Sequence, residues 1–267
     1  MQVCYEYILA GVIIFLVLAT TEATMFSLMA QRLTVLEQKN RYTIADKILD
    51  TLLLSPGSPS KWGNIFTEGP LSMGLADQNS LKPYVLDPHK VARLDGNSTG
   101  YISPVEARAL MGLRRDWHFS LKITPILHIE VAGNGSFTIT VKNNRGLLAP
   151  NVNVTAYYVP KSLTRESTYY SKSNITMVDG TCTLWFQFEQ NHILVIQAEQ
   201  MGVKVVTTFP EGLSFIIEGG CVFQIDMTVI TEINYSTGDV SGLDKETASR
   251  YVEIGGSTFL AEFDLWR

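Results

Sequence analysis

Between Val12 and Ser55 the chain contains neither proline nor glycine. Those two residues most readily end a helix, so a stretch without them can run as one rod. Its start belongs to an uncharged apolar run, Tyr7–Thr21 (YILAGVIIFLVLATT), and apolar character resumes after Glu22 in ATMFSLMA, residues 23–30. Residues 7–30 are long enough to cross roughly 30 Å of hydrocarbon at about 1.5 Å per residue. Glu22 has two readings: a headgroup position at the end of the span, or a carboxylate bonded to a neighbouring subunit. Beyond it Phe26, Met29, Leu33, Leu36, Ile44, Ile48 and Leu52 continue an apolar stripe at helical steps, and Pro56-Gly57 ends it. The expectation is a single helix over residues 1–54, apolar first and two-faced afterwards, roughly 75 Å long.

The net charge is −5 and no basic block occurs, which argues against a nucleic-acid partner. Three cysteines are too few for a disulfide scaffold, and no CxxC spacing suggests zinc or redox chemistry. Cys182 and Cys221 both fall in strand-like segments, where they either pair outside the cell or stay as buried thiols. Cys4 belongs to the apolar start.

Glu6 near the chain start, the long helix, and then LLLSPGSPSKWG (residues 52–63) resemble archaeal proteins with type IV pilin-like N-termini. The connector strings GLADQNSLKPYVLDPHKVARL and EARALMGLRRDWHFSLKI are similar to those that precede the β domain in such proteins. The resemblance covers about residues 1–125. It implies a surface-anchored or filament-forming subunit whose partners are membrane lipid and either its own copies or related pilin-like subunits.

Two signals bear on sidedness. Arg32, Lys39, Arg41 and Lys47 follow the apolar run and vote for the cytoplasm, but interleaved acids dilute that vote. Five N-x-S/T sequons, at Asn97, Asn134, Asn153, Asn174 and Asn234, make candidate glycosylation sites and favour an extracytoplasmic, cell-surface domain.

Residues 95–106 (DGNSTGYISPVE) place Asp95, Asn97, Thr99, the Tyr101 carbonyl and Glu106 at calcium-loop spacing, with Gly100 at the sharp turn. The same string reads as a capping box, Ser103 to Glu106, with Pro104 opening a helix. Gly96–Gly100 spells G-x-S-x-G, but neither a buried strand before it nor a helix straight after it supplies a nucleophile elbow.

From His118 the pattern alternates with period two, as in Phe137, Ile139 and Val141, and turns such as NNRG and VDG separate the runs. Strands at short spacing without helices between them imply an antiparallel sandwich, and the order of the runs resembles immunoglobulin-like or prealbumin-like surface modules. The expected fold class is α+β: a helix over 1–54, a connector with short helices over 55–117, and a β-sandwich over 118–267, its core at 118–210 and further strands at 211–267. The four histidines show no HxH or HExxH spacing, and no triad order or phosphate loop stands out, so no enzyme is expected. Two functions are in view: a pilin-like structural subunit, or a membrane-anchored adhesin or sensor. No cofactor is expected beyond the calcium of the 95–106 loop.

Overall fold

Strands account for nearly half of the chain that the computed structural model describes: Met25 and residues 43–65, 69–163, 167–187, 189–210, 212–225, 230, 232–238 and 245–267. Residues 44–267 form one compact unit. Helix α1 spans Ile44–Leu54, α2 Pro88–Ala92 and α3 Pro104–Leu110, with one 3-10 turn at Trp62–Asn64.

The expectation of an α+β chain led by one long helix is overturned. Among the described residues the helices have only 11, 5 and 7 residues, and none is long and apolar enough to cross a membrane. Thr43, immediately before α1, is not helical, so no continuous rod passes through it. Absence of Pro and Gly permits a long helix without imposing one, and Asn40, Tyr42 and Thr43 are all weak helix formers. Glu6, Glu22, Phe26, Met29, Leu33 and Leu36 lie outside the described residues.

Helix α1 owes its place to a short stripe. Ala45, Leu49, Leu52 and Leu53 are buried, at i, i+4, i+7 and i+8. They pack on a five-stranded sheet ordered β1-β13-β14-β2-β12, made of Val85–Leu86, Glu246–Ile254, Ser257–Trp266, His118–Pro125 and Ile233–Ser236. Strict alternation along β14 puts Phe259, Ala261, Phe263 and Leu265 into this core, where Phe263 stacks on Phe119 of β2. On β13 the inward set is Ala248, Arg250, Val252 and Ile254. Arg250 is thereby turned towards the helix, where it bonds Asp50 and Asp46.

The connector folds around buried cations. Lys90 is 0% exposed, and its Nζ donates to the carbonyls of Pro56 at 2.9 Å and Ala76 at 2.8 Å. Burial pushes its ammonium below the ordinary value, against the pull of Asp87 and Asp77. Arg93 donates to the carbonyls of Trp62, Ile65 and Gly100 and lies 5.2 Å from the Trp62 ring. Five carbonyls of a short, loop-rich segment thus find cationic donors.

The remaining strands build a second body. A three-stranded sheet, β3-β4-β7 (Leu127–Asn134, Ser136–Asn143, Thr181–Trp185), shares one core with a four-stranded sheet, β6-β5-β8-β9 (Tyr170–Ile175, Asn153–Pro160, His192–Gln200, Val203–Phe209). That core joins Ile139, Val141, Val154, Ala156, Leu194 and Ile196, all 0–1% exposed. A hairpin, β10 (Ser214–Glu218) with β11 (Cys221–Ile225), brings Phe215 and Val222 onto the outer face of β5 and β8, against Tyr157, Val159, Ile193 and Val195. Burial on both faces is why β5 and β8 read as near-continuous apolar runs. The chain passes from the first body into the second through the single residue Ile126, between β2 and β3, and returns between β11 and β12.

Candidate functional site

Two of the four edge strands of the sandwich, β3 and β9, lie side by side without pairing. The free edge of β9 is partly closed by the β13–β14 turn: Lys204 N–H donates to Thr258 Oγ1 at 3.2 Å and Val206 N–H to Ser257 Oγ at 2.9 Å. Two hydroxyls thus stand where a further strand would place carbonyls, a common way of protecting an edge. Gly255 and Gly256, both at positive φ, form the tight turn that delivers them.

Beyond these hydroxyls a cleft of about 660 Å³ opens. Its floor is apolar, from Leu127, Ile129, Val205 and Phe259, and its wall includes Phe215 from the β10–β11 hairpin. Polar groups line it at Thr207, Thr208, Ser214, Ser257 and His128. Thr208 Oγ1 donates to the Leu213 carbonyl at 3.0 Å, which ties the hairpin's approach to β9. Two ion pairs mark the rim, Lys142 with Glu130 and Lys122 with Glu232 at 3.5 Å. An apolar floor with a few convergent hydroxyls and charges at the mouth is the usual make-up of a ligand site, and the volume lies within the typical range of roughly 300–1,000 Å³.

No protein-family model, curated protein or solved structure matches this chain. The geometry therefore carries the functional reading.

The residues singled out in the sequence are scattered relative to this cleft. Ile44 is 48% exposed at the start of α1, and Ile48 packs against the first core. The five sequon asparagines are all exposed: Asn97 in the connector turn, Asn134 at the end of β3, Asn153 on β5, Asn174 on β6 and Asn234 on β12. Asp95 accepts from the Asn97 N–H at 3.1 Å and so closes a turn. Ser103 caps α3 by accepting from the Glu106 N–H at 3.3 Å, and the Gly100 carbonyl is bonded by Arg93. Thr99 and Tyr101 are exposed beside them. Among the described residues no three His, Cys, Asp or Glu side chains gather as a metal set.

Cys182 and Cys221 are both free. Cys182 is buried between the two sheets, where the apolar surroundings push its thiol above the ordinary range. Cys221 opens β11 on the other side of the four-stranded sheet and is exposed. A sheet stands between the two sulfurs, so the disulfide expected as one alternative does not form.

His128 is the one histidine that reaches the cleft. His118 stacks on Trp266 with ring centroids 6.0 Å apart, and His192 stacks on Tyr158 while facing Glu189 at 3.2 Å. Thr207, Thr208, Ser214 and Ser257 carried no motif. The period-two pattern does mark β3 and β9 as strands, but it says nothing about which strands end a sheet.

Proposed function

We propose that this protein is a cell-surface binding module, held to the membrane through the apolar segment Tyr7–Thr21, with its two β bodies on the outer side. The observation that carries the reading is the cleft between β3 and β9, apolar below and hydroxyl-lined above. Labelling β3 to β9 in order as A, B, C, C′, E, F and G gives an A-B-E sheet against a C′-C-F-G sheet. That order supports an immunoglobulin-like module, a frequent choice for display at cell surfaces. Exposure of all five sequon asparagines fits the same placement. The filament alternative loses part of its support, because Leu49, Leu52 and Leu53 are spent on the five-stranded sheet of the same chain rather than left for sister helices.

Treatment of intact cells carrying a C-terminally tagged full-length chain with an external protease tests the reading. The tag is expected to be lost, while the untreated protein sediments with membranes after an alkaline wash. A tag that survives on intact cells but is digested after lysis, with the protein in the soluble fraction, overturns it.

A further inference from the structure

We propose that the open side of the sandwich, where β6 passes over β7, binds an acidic polysaccharide. Trp62 and Trp266 are buried and Trp117 is half-buried, whereas Trp185 at the end of β7 is 61% exposed. Lys172 Nζ on β6 lies over its ring, 5.1 Å from the centroid, and 5.6 Å from the ring centroid of Phe186. Asn174, on the same face of β6, donates from Nδ2 to the Thr183 carbonyl at 3.1 Å and holds the two edge strands together. Tyr170, also on that face, is 61% exposed.

Next to the indole runs a row of hydroxyls. The register sets Ser136 opposite Trp185 and Thr138 opposite Thr183, and all four side chains are exposed on the outer face of the β3-β4-β7 sheet. Neighbours along a strand repeat at roughly 6.6 Å and across strands at roughly 4.8 Å, spacings on the scale of a sugar ring. An exposed aromatic plane takes the C–H face of a pyranose, and flanking hydroxyls exchange hydrogen bonds with its equatorial oxygens.

Charge decides which polysaccharide. The other cation of this face, Lys142, is bonded to Glu130. Among the described residues no carboxylate pairs with Lys172, whose ammonium lies over one face of the indole and leaves the opposite face for a sugar. A uronic acid stacked on Trp185 would bring its carboxylate to that ammonium, a charge-assisted contact that a neutral sugar lacks. The chain as a whole carries −5, so retention by a polyanion would reflect this local site rather than bulk attraction.

Affinity electrophoresis of the full-length protein in neutral detergent, with polygalacturonate or dextran cast into the gel, provides the test. Polygalacturonate is expected to retard the protein and dextran to leave it unretarded. Trp185→Ala should weaken retention about tenfold, Trp185→Tyr should keep most of it, and Lys172→Gln should abolish the preference for the acidic polymer. Both positions are exposed, so thermal melts should stay close to wild type. No retardation by polygalacturonate overturns the proposal, as does equal retardation by dextran or wild-type retention by Trp185→Ala. The measurement uses purified protein, so its outcome does not depend on where the cell places the chain.

Discussion

Arg250 on β13 grips Asp50 on α1 through two bonds, Nε to Oδ1 at 2.9 Å and Nη2 to Oδ2 at 3.1 Å. The two residues are 200 positions apart in sequence. Asp46, one turn earlier, takes a further bond from Nη2 at 3.1 Å, and the Tyr84 hydroxyl donates to Asp50 at 3.2 Å. Both side chains of the main pair are largely shielded, 25% and 14% exposed. Loss of one partner then leaves a charge short of solvent as well as of its counter-charge.

Arg250→Met is therefore expected to destabilise the folded chain by about 2 kcal/mol, less than for a fully buried pair. Lys in its place should restore less than half, since an ammonium cannot make the forked contact. Urea midpoints at unchanged slope measure this, and a wild-type midpoint for Arg250→Met would show that the fork contributes nothing.

The stripe of α1 makes a second prediction. Leu49 and Leu53 are 0% exposed against the five-stranded sheet, whereas Ile44 is 48% exposed. Truncation of either leucine to Ala should cost about 2–5 kcal/mol, and Ile44→Ala about 0.5 kcal/mol or less. Equal effects at the three positions would mean that the helix does not dock by this face.

Tyr235 gives the fold a pH dependence. Its hydroxyl is buried and donates to the Ile102 carbonyl at 2.9 Å, and burial holds its pKa well above the ordinary 10.0. The native chain keeps this proton where the unfolded chain releases it. Its contribution is thus complete below about pH 10 and is lost as the pH climbs further. Tyr235→Phe should cost about 1 kcal/mol near neutrality and flatten the alkaline decline. Denaturation midpoints at about pH 8 and about pH 11 compare the two proteins, and parallel declines would contradict the assignment.

Thiol chemistry separates the cysteines. In a Cys4→Ser background, Cys221 should react promptly with a thiol reagent, and Cys182 only after unfolding. A single fast thiol and an intact mass retaining both hydrogens is the expected result. An oxidised mass would restore the bridge.

The strands were readable because alternation in stretches such as Phe137-Thr138-Ile139-Thr140-Val141 follows directly from one buried face. Capping of α3 by Ser103 was equally local and appears as the residues suggest. The long helix failed because helical periodicity at Leu49, Leu52 and Leu53 reports only that one face is buried, not what buries it. A sheet built mainly of strands that start at His118 or later did so here. Sheet membership was illegible for a similar reason: β2 and β14 pair along eight positions, His118 to Pro125, yet nothing near His118 announces Trp266. The cleft depends on the same long-range pairing. The hydroxyls of Ser257 and Thr258 meet β9 only because the β13–β14 turn is carried there.

The single-residue join at Ile126 also sets an order of events on the ribosome. All seven sandwich strands lie between β2 and β12, so that body can close once Phe209 has emerged. The five-stranded sheet cannot, because β14, its middle strand, is made after all the other strands of that sheet. Until β14 emerges, the leucines of α1 and the inner face of β2 await a cover that has not been synthesised. A chain stopped just before β14 would leave a finished sandwich beside a sheet missing its middle, and chaperones would meet the exposed half.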